Sequence, residues 1–135
     1  MSAYREQQTQ FKNAAILIEC LKALGITEIN QFTTAQQLEG YHGDKRSQTA
    51  EIIIPRKAVG MSSNDIGFKR QADGSYSAII SDFDGRDGAY DAAWIKKLKL
   101  TYTETFYQKQ AKKAGLRMIS RKSNDGKLQL QFVKQ

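Results

Sequence analysis

One cysteine, Cys20, and one histidine, His42, are the whole stock of thiol and imidazole groups in this chain. A thiolate nucleophile needs its base within hydrogen-bond reach and an acid to orient that base. Cys20 lies beside an apolar helical stripe, where a thiol is buried and inert. His42 follows Tyr41 in a Gly-flanked turn with no orienting acid, so it reads as an exposed residue available for binding. One Cys and one His do not assemble a structural zinc site. Asp82, Asp84 and Asp87, with Gly85 and Gly88, resemble a calcium loop. The fifth and twelfth positions of that template, however, are Arg86 and Ala93, where an oxygen ligand and a Glu are required. The stretch reads instead as an acidic loop entering a helix, with Asp91 favouring the helix N-terminus. No Gly-x-x-x-x-Gly-Lys-Ser/Thr occurs, and no Gly-x-Gly-x-x-Gly follows a strand. The expectation is a protein that is not an enzyme, with no metal and no cofactor.

Charge is the feature that remains. The formal net charge is +7, and it is unevenly placed. Residues 1–91 hold 10 basic against 12 acidic side chains; residues 92–135 hold 11 basic groups and only Glu104 and Asp125 as acids. Such asymmetry speaks to partners, chiefly polyanions or acidic proteins, or to a basic helix face kept solvated. At 135 residues, 40% hydrophobic and 26% charged, the chain fits one globular domain, 1–135. No apolar run approaches the roughly 18 residues that would cross a bilayer. The longest, Ala14 to Ile18, is closed by Glu19 without a cleavage pattern, so neither a signal peptide nor a membrane role is expected. A lone cysteine fits a reducing compartment, the cytoplasm.

The elements that position these residues follow from periodicity. Tyr4 to Gln10 reads as a weak first strand. Ala14, Leu17, Ile18, Leu21 and Leu24 form one stripe at helical spacing, with Asn13 as N-cap and Gly25 at the left-handed C-terminal position. Gln37 to Tyr41 reads as a short strand. Ala50 to Pro55 reads as a buried strand that Pro55 ends or pushes to an edge. A hairpin follows, Asp65 to Arg70 and Tyr76 to Phe83, around Ala72-Asp73-Gly74-Ser75. A long helix spans about Ala92 to Ala114, with Ile95, Leu98, Tyr102 and Phe106 on one face, and Gly115 stops it. Leu116 to Ser120 and Leu128 to Lys134 form a second hairpin around Asn124-Asp125-Gly126.

Together these predict an α+β fold: two helices on one face of a mostly antiparallel six- or seven-stranded sheet. The segments 21–26 and 111–116 both close a helix and enter a strand, an echo that would fit two helix-plus-strands halves. The order Gly40-Tyr41-His42-Gly43, Ala50 to Ile54, Asp65-Ile66-Gly67-Phe68, Asp73-Gly74-Ser75-Tyr76 and the closing Asp125-Gly126 hairpin is similar to a cyanobacterial and plastid family. That family is known as hypothetical chloroplast reading frame thirty-five, a domain of unknown function. The chain departs from its pattern at Phe83 to Gly88 and at Glu104. The resemblance implies a small accessory protein of the cytoplasm or plastid stroma and hands over no catalytic residues.

On a single sheet, strict alternation would send Leu116, Met118, Leu128, Leu130 and Phe132 toward the helices. Arg117, Ile119, Arg121, Gln129 and Gln131 would then line the open face, joined by Lys69, Gln71 and Ser77. With Lys96 and Lys99 of the long helix, and Tyr41 and His42 in their turn, these are the candidate binding residues. Two functions follow for them, the first the one expected and the second its alternative. One is an accessory or adaptor protein that binds another protein through Ile79, Ile119 and Val133 on that face, or through a free edge near Pro55. The other is electrostatic, non-sequence-specific binding to RNA or ribosomes.

Overall fold

The computed structural model describes residues 2–124 and 127–135. Along the chain run β1 (Tyr4–Gln8), α1 (Ala14–Ala23), β2 (Asn30–Glu39), β3 (Lys45–Ile54), α2 (Arg56–Val59), β4 (Ile66–Arg70), β5 (Tyr76–Ser81), α3 (Asp82–Arg86), α4 (Ala92–Lys113), β6 (Leu116–Asn124) and β7 (Lys127–Lys134). β1 to β5 make one antiparallel sheet in the order β1-β5-β4-β3-β2, and β6 pairs only with β7.

α1 begins where the Asn13 side chain accepts the Ile16 amide at 3.0 Å, and Gly25, at φ 96°, follows its last turn. Its apolar stripe is rotated from the expected one: Ile16 and Cys20 are buried with Leu17 and Leu21, while Ile18 is half-buried. α1 and α4 cover one sheet face, where Ile52, Ile54, Ile66, Phe68, Ala78 and Ile80 meet Leu17, Leu21, Ile95 and Leu98. Each large side chain fully buried there contributes about 1.5–3 kcal/mol of transfer free energy. The Tyr102 hydroxyl ties α4 to the start of α1 by accepting the Lys12 and Asn13 amides at 3.1 and 2.9 Å. The opposite sheet face carries a smaller cluster of Leu38, Ala50, Ile53 and Ile79, with Tyr4 against it.

The single sheet with two helices is not what forms. Among the described residues there are four helices, and the strands divide into sheets of five and two. The two short helices have local causes. Pro55, with φ already at −62°, opens α2, and the Arg56 amide donates to the Asp65 carboxylate at 2.7 Å. β5 stops at Ser81, short of Phe83, because the Ser81 hydroxyl caps α3 by accepting the Asp84 amide, and Asp82 and Asp84 suit its first turn. The β6–β7 ribbon packs on α4, with Met118 and Phe132 beside Gln108 and Lys112, and needs no second sheet. The two proposed halves therefore do not build one sheet; what they share is a helix closed by a left-handed glycine, Gly25 and Gly115.

Two expected strands are longer than anticipated. Of the segment Gln37 to Tyr41 only Gln37–Glu39 is strand, the end of the ten-residue β2, and Ala50–Ile54 is the end of the ten-residue β3, with Pro55 just beyond it. No edge is left near Pro55, since β3 is paired on both sides. The edges are β1 and β2, and β2 is interrupted: between Gln31↔Ile52 and Gln36↔Ala50, residues 32–35 stand opposite Glu51 alone. A bulge of this kind spoils the flat template on which a foreign strand adds. The first hairpin forms as expected around Ala72-Asp73-Gly74, with Gly74 at φ 88° and the Asp73 carboxylate accepting the Ser75 amide and hydroxyl at 2.9 and 2.6 Å. The Asp125-Gly126 turn lies outside the described residues.

Candidate polyanion-binding ribbon

β6 and β7 present two unlike faces. Residues directly opposite on antiparallel strands share a face. Met118↔Phe132, Arg121↔Leu130 and Ser123↔Leu128 fall on the inner face, toward α4. Arg117↔Val133, Ser120↔Gln131, Lys122↔Gln129 and Asn124↔Lys127 fall on the outer one. The register slips between Met118 and Ser120, leaving Ile119 as the extra residue of a bulge. Past that bulge the parity of β6 is reversed. Arg121 turns inward and forms an ion pair with Glu104 of α4, while Lys122 takes the outer position that strict alternation assigns to Arg121.

The outer face thus holds Arg117, Lys122, Lys127, Gln129 and Gln131, all exposed, with no carboxylate among its described residues. Of the expected binding residues, the structure brings together Arg117, Gln129 and Gln131. The others lie elsewhere. Lys69 sits in β4 of the larger sheet, paired with Ser77. Lys99 lines a separate cleft with Lys12 and Asp73, and Lys96 is exposed on α4. Ile79 is 2% exposed and belongs to the second core cluster, so it offers nothing to a partner. Lys122 and Lys127, basic residues of the last hairpin in the sequence, were not among those expected on this face. The signal for Lys122 was Met118-Ile119, two apolar residues in succession within an otherwise alternating strand, which is how a bulge shows in sequence, whereas Lys127 follows from its alternation with Gln129 and Gln131 in β7. The Arg121–Glu104 pair, with Arg121 44% exposed, is worth at most about 1 kcal/mol. Arg121→Ala is therefore expected to leave the unfolding midpoint nearly unchanged and to weaken polyanion binding less than Arg117→Ala, as read by chemical denaturation and anisotropy titration.

Residues 20–131 match the family model described as "Protein of unknown function (DUF1257)". The chain belongs to this family. No curated protein and no solved structure matches it. In this DUF1257 protein, Cys20 and His42, the residues first considered for chemistry, stand far apart in kind: one is buried and one exposed. Cys20 is buried and donates to the Thr105 hydroxyl at 3.6 Å; burial pushes its thiol pKa up, away from the thiolate. His42 is exposed, its ring 3.9 Å from that of Tyr41, while the Tyr41 amide donates to Asn64 at 2.9 Å. Asp84 is buried and accepts the Ser63 and Ser81 hydroxyls at 2.6 and 2.8 Å. Among the described residues there is no group of three or more His, Cys, Asp or Glu side chains disposed to hold a metal ion. None of the described helices is long and apolar enough to cross a membrane.

The DUF1257 fold also has a polar hub joining the N-terminus, the β2–β3 turn and the loop before β4. The Asp65 carboxylate accepts the amides of Glu39 and Arg56 at 2.8 and 2.7 Å, and its carbonyl accepts the Tyr4 hydroxyl at 2.6 Å. Burial raises the Asp65 pKa above its ordinary value more than those amide donors lower it. The Tyr4 hydroxyl is pushed up as well, chiefly by burial and then by the charge of Asp65. Arg46 crosses the Tyr4 ring at 5.7 Å and donates to the Ser2 carbonyl at 3.0 Å. The hub holds Tyr41 and the β2–β3 turn in place, although Arg46 Nη2 and Asp44 Oδ1 are buried there without a hydrogen-bond partner among the described residues.

Proposed function

We propose that this DUF1257 protein binds nucleic acid through its phosphate backbone, using the outer face of the β6–β7 ribbon. The observation that supports this is the placement of Arg117, Lys122 and Lys127 on one exposed face, interleaved with Gln129 and Gln131 and free of described carboxylates. Cations spaced along a strand at about 3.3 Å per residue can follow a line of phosphates, and the glutamines can donate to phosphate or sugar oxygens. Such a protein works where nucleic acid is accessible, in the cytoplasm or a plastid stroma.

Three backbone contacts predict a salt slope, log K against log[salt], of about −2 to −3. Replacing Arg117, Lys122 and Lys127 together with Ala should bring that slope close to zero and remove binding at about 150 mM salt. A slope unchanged by the triple substitution would place the site elsewhere, with the α4 lysines as the next surface to test.

A second reading, an accessory protein that docks another protein, is favoured by one observation. Between α1 and α4 runs a groove of about 540 Å³ with Ala15, Ile16 and Phe106 on its walls, Lys112 and Lys113 beside it, and Lys109 paired with Glu19 at 3.2 Å. An acidic segment with apolar anchors suits that lining. If it docks there, charge reversal at Lys112 and Lys113 should release a co-purifying protein that the ribbon substitutions leave bound.

A further inference from the structure

We propose that the ribbon enters the major groove of B-form duplex DNA, with its outer face toward the base edges. This rests on the nucleic-acid reading above and narrows it to one form of nucleic acid. Three observations carry it.

The first is shape. Among the described residues β6 and β7 pair with each other and with no other strand, so the element is a two-stranded antiparallel ribbon rather than one margin of a wide sheet. A two-stranded ribbon is the β element that the roughly 12 Å wide major groove of B-DNA admits. At about 3.3 Å per residue, its eight- and nine-residue strands reach about 26–30 Å. The larger five-stranded sheet could not follow it in.

The second is the chemistry of the outer face. Arg117, Lys122 and Lys127 keep to the phosphates that flank the groove, while Gln129, Gln131 and Asn124 carry the paired donor and acceptor that suit adenine N6 and N7. Glutamines at Gln129 and Gln131 add little to a purely electrostatic surface, which lysines would serve better. Val133 and the bulged Ile119 supply small apolar surface of the kind that meets a thymine methyl.

The third is what the face does not offer. Its described residues include no aromatic ring: Phe132 is on the inner face. A single-strand binder stacks bases on outward aromatics. The major groove of an A-form RNA duplex is too deep and narrow for side chains to read. The same ribbon therefore has a seat on B-DNA that it lacks on the other two forms.

The test measures affinity by fluorescence anisotropy for one mixed sequence as duplex DNA, duplex RNA and single-stranded DNA, all at about 50 mM salt. The expected result is duplex DNA bound at least about tenfold tighter than either alternative, with competition from a major-groove dye and none from a minor-groove ligand. Gln129→Ala with Gln131→Ala should weaken duplex DNA binding about five- to tenfold while leaving the salt slope unchanged, because glutamine releases no counterion. Both glutamines are exposed, so the double variant should fold, with circular dichroism as the check. Equal affinity for all three forms, or a glutamine pair without effect, would overturn the groove assignment while leaving backbone binding intact. No binding to any form would overturn both readings.

Discussion

Asp65→Ala is expected to destabilise the fold by about 3 kcal/mol, because it strips the acceptor from two backbone amides at once. The Glu39 amide donates to one carboxylate oxygen at 2.8 Å and the Arg56 amide to the other at 2.7 Å. Asp65 is 8% exposed, so water does not readily replace it. In a chain of this size the change should appear as a Tm lower by about 10 °C. Asp65→Asn separates the acceptors from the charge. One amide oxygen remains, while the amide nitrogen faces a backbone N–H, and the expected loss is about 1–2 kcal/mol. Burial raises the carboxyl pKa in the folded state above its ordinary 3.8, so the folded protein takes up the proton first. The Asp65 contribution to stability is accordingly greatest below the unfolded pKa and declines as pH rises from there through the folded one. Wild type minus Asp65→Asn should show that decline in denaturation experiments between acid and neutral pH. A difference that instead grows with pH would mean that the charge is itself stabilising.

Gly67→Val is the second large effect, expected at about 3 kcal/mol or more, with Gly67→Ala at about 2 kcal/mol. Gly67 sits mid-strand in β4, between Ile53 of β3 and Ile79 of β5. A Cβ placed there would lie 2.7 Å from the Ala50 Cβ and 3.0 and 3.1 Å from the two Leu38 methyls. Leu38 can turn, but a Cβ is fixed to its backbone, so β3 itself would have to move. The cause is close approach: Gly67 lets the β2–β3 hairpin bring Leu38 and Ala50 down onto the second sheet face. Ala50→Gly should recover part of the Gly67→Ala loss, a coupling that a double-mutant cycle reads directly. Additive losses would show that the two sites do not share this space.

Much of this molecule was legible in its sequence. The α1 cap at Asn13, the glycines closing α1 and α4, the Asp73-Gly74 turn and the buried Ile52 to Ile54 all follow from local rules, because caps, turns and periodic stripes act over a few residues. β2 was legible only at its end. Its sequence, Asn-Gln-Phe-Thr-Thr-Ala-Gln-Gln from Asn30, has no apolar alternation because most of that strand is exposed. The polar hub was also hidden: Tyr4, Glu39, Arg56 and Asp65 are far apart in the chain, and nothing in their neighbours marks them as partners.

By itself the sequence determined the α+β composition, the positions of the two long helices and the concentration of basic charge after residue 92. Only the tertiary structure decided which of those charges share a surface. Two long-range facts settled it. The last hairpin packs on α4 instead of joining the main sheet, so Lys69 and Arg117 stand on different sheets. The bulge at Ile119 reverses the facing of everything after it, exchanging Arg121 for Lys122. Side-chain facing in a strand has a period of two, so a single extra residue inverts it, and a bulge forms in the pairing of two strands rather than in either one alone.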